Sequence, residues 1–173
     1  ILKCSGAILP GVGSFSEAMK NIKRFSIDEA IKEFVLTEKP FMGICLGLQL
    51  LFEESEEFEN FEGMGIIEGK CSYFKNIEKV KTVPHVGWNA VKFNYVNNNN
   101  KQLTEGISEK EYFYFVHSLY VNPLDKRIIK SVTNHDGFEF CSSIMHKNIF
   151  ATQFHPEKSG KNGLRLLKSF FSS

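Results

Sequence analysis

Clustered cysteines are lacking in this chain. Its four cysteines, Cys4, Cys45, Cys71 and Cys141, lie far apart in 173 residues, so no Cys-x-x-Cys pair and no zinc-type His/Cys spacing is available. An excess of either charge is also missing. Twenty-one Lys and Arg face 20 Asp and Glu, a formal net charge of +1, and the lysines are scattered. No strong field therefore favours nucleic acid or a membrane surface. There is no secretory h-region, no apolar stretch long enough to span a bilayer and no Asn-x-Ser/Thr acceptor site. A reducing cytoplasm is the simplest compartment, and it would keep the cysteines as thiols. No internal repeat or linker is visible. With 42% hydrophobic and 24% charged residues, the composition is that of an ordinary globular chain. The length suits one domain, residues 1–173, with a sizeable core.

The most informative segment is Phe41-Met42-Gly43-Ile44-Cys45-Leu46-Gly47-Leu48-Gln49. An apolar run ending at Ile44 reads as a buried, central strand. A cysteine between two glycines, Gly43 and Gly47, follows, and Leu46 to Glu54 reads as the start of a helix. A nucleophile between strand and helix, flanked by glycines, is the pattern of a nucleophile elbow. The helix N-terminus would point N–H groups at the sulfur and lower the thiol pKa. The competing reading is a buried cysteine acting as a small hydrophobe. Near the other end stands Thr152-Gln153-Phe154-His155-Pro156-Glu157-Lys158. In an extended segment residues i and i+2 share a side, so Glu157 could orient the His155 imidazole, and His155 could serve Cys45. That is the logic of a nucleophile–base–orienter triad; a surface strand end would explain His-x-Glu as well. Ala7–Pro10 reads as a strand entering the glycine-rich turn Gly11-Val12-Gly13. A phosphate loop fits poorly, because the glycine-lysine pattern is absent. Backbone N–H groups of Gly11, Val12 or Gly13, with that of Leu46, could instead form an oxyanion hole.

Elsewhere Ile27, Ala30, Ile31, Phe34 and Val35 follow helical spacing, with Ser26 as N-cap of a helix running to about Thr37. Glu53 to Glu62 reads as an acidic surface loop. Strands are expected at 66–74, 80–93, 112–116, 128–133, 138–145 and 148–154, and a polar loop at Asn97–Asn100. Leu164, Leu167 and Phe171 mark a C-terminal amphipathic helix. The order predicts one α/β domain whose core sheet is mainly parallel, with an antiparallel extension in the middle. Its reactive residues fall at the C-terminal ends of strands.

These motifs carry a resemblance. Pro10-Gly11-Val12-Gly13, Gly43-Ile44-Cys45-Leu46-Gly47-Leu48-Gln49 and Phe154-His155-Pro156-Glu157 resemble the signatures of class I glutamine amidotransferases. Val83-Pro84-His85-Val86-Gly87-Trp88-Asn89, Tyr114-Phe115-Val116-His117-Ser118 and the lysine after Glu157 resemble those of one branch, the glutaminase subunits of imidazole glycerol phosphate synthases of histidine biosynthesis. The resemblance covers nearly the whole chain. It implies a flavodoxin-like α/β fold and hydrolysis of glutamine to glutamate and ammonia by Cys45, His155 and Glu157, with no cofactor or metal. It also implies that Gln49, His117, Ser118 and Leu119 help hold the glutamine. A (β/α)₈ barrel cyclase partner, faced by Trp88 and Lys158, would receive the ammonia. The family begins with a strand, a helix and a second strand before the Pro-Gly-Val-Gly turn, so by the same resemblance a βαβ segment is expected to be missing ahead of Ile1. Two alternatives stay open: a paralogue supplying ammonia to an amidated-sugar synthase for surface polysaccharide, and a non-catalytic fragment or binding subunit.

Overall fold

The computed structural model describes residues 1–57, 60–94, 107–108 and 110–172. The chain begins with β1 (Ala7–Gly11), then α1 (Phe15–Arg24) and α2 (Ile27–Val35), which cross back to β2 (Phe41–Cys45). One helical turn, α3 (Leu46–Gln49), leads into β3 (Phe52–Ser55), β4 (Phe61–Glu62) and β5 (Ile67–Tyr73). After β6 (His85–Phe93) come β7 (Lys110–His117), β8 (Leu119–Pro123), β9 (Ile129–His135), β10 (Phe138–His146) and β11 (Ile149–Thr152), and α4 (Gly160–Phe171) closes the chain.

One mixed sheet runs β1-β2-β11-β10-β8-β5-β3-β4, and β9 bridges β10 to the β6–β7 hairpin. Parallel pairing joins β1 to β2, β2 to β11 and β3 to β5. The antiparallel part is extensive and includes β10 against β11, β8 and β9, and β6 against β7 and β9. All five residues of β2 are buried, as its unbroken apolar run predicts. Its side chains alternate between two cores. Phe41 joins Phe15, Met19, Ile31 and Phe34 under α1 and α2, whereas Met42 and Ile44 join Phe113, Phe115, Phe150, Phe154 and Leu166 beneath α4 and the β6–β7 hairpin. Each fully buried phenylalanine removes enough apolar area from water to contribute roughly 1.5–3 kcal/mol. The sheet is therefore clamped from both sides at β2, the strand that carries Cys45.

Several expectations change. The helix expected from Ser26 is α2, but Ser26 makes no side-chain cap bond. Its left-handed φ of 51° turns the chain out of α1, an element not among those expected. The helix expected after Cys45 is a single turn, because Leu46 to Phe52 is buried all round and has no polar face to keep it helical. Phe52–Ser55 instead pairs with β5. The acidic segment after Phe52 is thus partly sheet, with β4 paired to β3. Residues 80–84 precede β6 rather than belonging to it, and β8 is a further strand. The Asn97–Asn100 run lies outside the described residues. Among the described residues no helix is long and apolar enough to cross a membrane.

Candidate active site

The site forms where β1, β2 and β11 end side by side. Gly11 lies opposite Cys45 in the β1–β2 register, and Ile44 lies opposite Thr152 in the β2–β11 register. Continuing both strands brings Cys45 beside Gln153, with His155 just beyond. Cys45 has φ 54° and ψ −107°, a strained conformation for a residue with a Cβ. The helix turn is pressed against β1 so closely that a Cβ on Gly47 would lie 1.8 Å from the Leu9 carbonyl oxygen, which is why glycine stands there. The elbow expected from sequence is present.

The electrostatics differ from expectation. Cys45 is 6% exposed, and burial pushes its thiol up to about 11, outweighing the Leu46 backbone N–H and the Gln153 amide that favour the thiolate. Glu157 adds to the rise and Lys158 opposes it. One turn of helix is too little to offset desolvation. The sulfur lies 3.7 Å from the Val116 carbonyl oxygen and 3.7 Å from Gln153 Nε2.

His155 is held on three sides. Its N–H donates to the Tyr114 carbonyl at 2.9 Å, its carbonyl accepts from Ser159 Oγ at 2.6 Å, and that oxygen also accepts from the Tyr114 N–H at 3.0 Å. Nδ1 meets Glu157 Oε1 at 2.7 Å. The two side chains meet because Pro156–Lys158 forms a 3₁₀ turn, not through the extended i, i+2 geometry expected. With Nδ1–H donating to the carboxylate, Nε2 carries the lone pair, and that buried atom has no hydrogen-bond partner.

A cavity of about 240 Å³ opens beside the sulfur, lined by Val12, Gly13, Cys45, Leu46, Gln49, Glu57, Pro84, Val116, His117, Ser118 and Leu119. Most residues singled out from sequence are thereby brought together: Val12, Gly13 and Leu46 at one wall, Gln49, His117, Ser118 and Leu119 at another. Gly11 supports the turn from within β1, while His155 and Glu157 do not line the cavity. Trp88, on β6, and Lys158 lie apart from it and are exposed. Sequence reasoning missed Glu57, Val116 and Pro84 as lining residues, and Gln153 as the neighbour of the sulfur. Glu57 sits in an acidic run that reads as surface, yet its Oε2 accepts from the Phe15 N–H at 2.5 Å and from Ser14 Oγ at 3.2 Å, closing the start of α1 beside the cavity.

A buried cysteine on a strained strand–helix elbow, an imidazole oriented by a carboxylate and a glycine-rich turn alongside are the furniture of a cysteine-dependent amide hydrolase or acyl transferase. The profile of the family "Glutamine amidotransferase class-I" matches residues 4–173. The chain is 48% identical over 173 residues to imidazole glycerol phosphate synthase subunit HisH 1 of Methanococcus maripaludis, covering 98% of this chain and 81% of that protein. It is 49% identical over 170 residues to subunit HisH of Methanocaldococcus jannaschii, again covering 98% and 81%. Among solved structures, PurLQS from Thermotoga maritima matches with a TM-score of 0.67 at 19% identity, over 97% of this chain and 79% of that one, a likeness of fold. The chain belongs to the class I glutamine amidotransferases and, within them, to the HisH family.

Proposed function

We propose that this chain is the glutaminase subunit of an imidazole glycerol phosphate synthase, hydrolysing glutamine through Cys45, His155 and Glu157 and passing the ammonia to a (β/α)₈ barrel cyclase. The reading is supported by its similarity to HisH subunits of imidazole glycerol phosphate synthases. The observation that carries the chemistry is the buried His155 Nε2, unpartnered while Glu157 holds Nδ1, next to the strand that bears Cys45.

Glutamine enters the cavity with its carboxamide carbon at the sulfur. The Cys45 proton passes to His155 Nε2, and the sulfur–carbon bond forms. The oxygen becomes negative and is held by the N–H of Leu46 and one from the Gly11–Gly13 turn. His155 returns the proton to nitrogen as the carbon–nitrogen bond breaks, releasing ammonia. Water then loses a proton to His155 and attacks the thioester, giving glutamate and restoring the thiol. Transfer of the proton to His155 offsets the cost of ionising the buried thiol, because it creates an ion pair rather than an isolated buried anion. Gln49, His117, Ser118 and Leu119 hold the substrate, and Glu57 is placed to receive its α-ammonium group.

Ammonia set free in water would be protonated and lost as a nucleophile, so the product needs a protected route to an acceptor. Val86, Trp88, Tyr112 and Val116 form an exposed apolar face on the β6–β7 hairpin. Tyr114, paired with Trp88 across the hairpin, is the half-buried member of that face, its ring 6.4 Å from Trp88 and 6.5 Å from His155. We assign this face, with Lys158, to the barrel subunit. The decisive test is rescue: the gene, expressed with its barrel partner, restores growth without histidine to a strain lacking its own glutaminase subunit, and Cys45→Ala does not. Glutamine turnover without rescue would instead favour the amidated-sugar pathway, and no turnover with any barrel partner would leave a binding subunit.

A further inference from the structure

Gln153 is fully buried, and its Nε2 points at the Cys45 sulfur from 3.7 Å. Which end of an amide faces a sulfur decides whether it favours the anion or opposes it, and here a chain of hydrogen bonds fixes the choice. Gln49 Nε2 reaches Gln153 Oε1 at 3.1 Å and the Leu119 carbonyl at 3.5 Å. A backbone carbonyl can only accept. Turning Gln153 over would set two N–H groups against each other, and turning Gln49 as well would set its oxygen against the Leu119 oxygen. The Leu119 carbonyl therefore orients both amides.

The same carbonyl is anchored from its other side. His117 Nδ1 donates to it at 2.6 Å, so His117 Nε2 accepts from His85 Nδ1 at 3.0 Å. His85 Nε2 in turn accepts from Asn89 Nδ2 at 3.1 Å, and that amide group also donates to the Asn134 carbonyl at 2.9 Å. Burial lowers His85 to about 4 and His117 to about 3, keeping both rings neutral and each tautomer single at physiological pH.

We propose that Gln153 is a thiolate-stabilising donor of this active site, presenting Nε2–H to the Cys45 sulfur, and that Gln49 is the positioning residue that keeps that N–H turned inward. The proposal rests on Cys45 being the nucleophile. It gives Gln49 two duties. Its Nε2 hydrogens serve Leu119 and Gln153, leaving Oε1 for the substrate.

The test is the rate at which iodoacetamide modifies Cys45 at pH 9, followed by mass spectrometry with exposed Cys4 as internal reference, in the wild type, Gln153→Met and Gln153→Glu. Below its pKa a thiol reacts in proportion to its small thiolate fraction. Loss of a hydrogen bond to the anion should slow Cys45 relative to Cys4 by about ten- to a hundredfold. A merely structural role predicts the opposite, since loosened packing exposes the sulfur and speeds the reaction. Gln153→Glu keeps the side-chain shape and an acceptor for Gln49, so it remains informative if the methionine variant misfolds; it should slow Cys45 at least as much. A Cys45 rate equal to or above wild type in a folded variant overturns the proposal. Glutamine turnover that persists in Cys45→Ala would overturn the nucleophile reading itself, a result the Gln153 variants cannot mimic.

Discussion

Replacing Gly47 with alanine tests the elbow most directly. The new Cβ would lie 1.8 Å from the Leu9 carbonyl oxygen and 2.9 Å from the Leu9 carbonyl carbon. Ordinary contact begins at 3.4 Å, so β1 and the helix turn must part by about 3.4 − 1.8 = 1.6 Å. Both sides of the contact are backbone, and no rotamer change relieves it. Overpacking of this kind costs roughly 1–3 kcal/mol, against which the higher helix propensity of alanine returns less than about 1 kcal/mol. The melting temperature should fall by a few degrees, at about 2–4 °C per kcal/mol for a chain of this size. Activity should suffer more. Gly11 is in register with Cys45, so moving β1 displaces the Gly11–Gly13 turn from the sulfur. A misplacement of about 1 Å can cost on the order of a hundredfold in rate. Gly11→Ala is the graded comparison. Its Cβ would meet the Leu46 side chain at 2.9 Å and backbone only at 3.3 Å, so its losses should be smaller. Thermal melts followed by circular dichroism, with glutamine turnover in the presence of the barrel partner, provide both readouts. A Gly47→Ala protein as stable and active as wild type, or one that outperforms Gly11→Ala, would refute the claim that close approach fixes this elbow.

Other outcomes follow from the same site. In the free chain, iodoacetamide modification of Cys45 should rise with pH up to about 11, because burial favours the protonated thiol; a plateau below pH 8 in the per-residue rate would show a thiolate already present. Cys45→Ala and His155→Ala should each abolish glutamine hydrolysis while leaving the far-UV spectrum unchanged, and Glu157→Gln should reduce it less, since an orienting group matters less than the base it orients; steady-state ammonia release with the partner present decides this. Lys158→Ala should lower partner-stimulated turnover far more than the basal rate, and equal losses in both would remove Lys158 from the interface.

Local sequence determined a good deal. The unbroken apolar run of Phe41–Ile44 reads as a strand covered on both faces, and the glycines two residues to either side of Cys45 read as a tight strand–helix turn. The strands β9, β10 and β11 were also legible, because their runs are rich in β-branched and aromatic residues. The site residues Cys45, His155 and Glu157, and the cavity-lining Gln49, His117, Ser118 and Leu119, carried recognisable motifs. Tertiary structure decided the rest. Leu46–Phe52 has helix-forming residues, but complete burial and the pull of β5 on Phe52–Ser55 cut the helix to one turn. That short turn and the desolvation around the sulfur reverse the expected thiol shift, an effect of surroundings that no local pattern encodes. His155 and Glu157 meet through a 3₁₀ turn held by Ser159 and Tyr114, the latter 41 residues away in sequence by its number. Glu57 and Gln153 read locally as a surface acid and a strand amide. Only the tertiary contact of Gln49, on α3, with the Leu119 carbonyl and Gln153 turns the Gln153 amide toward the sulfur, because hydrogen-bond direction is a property of neighbours in space and not of neighbours in the chain.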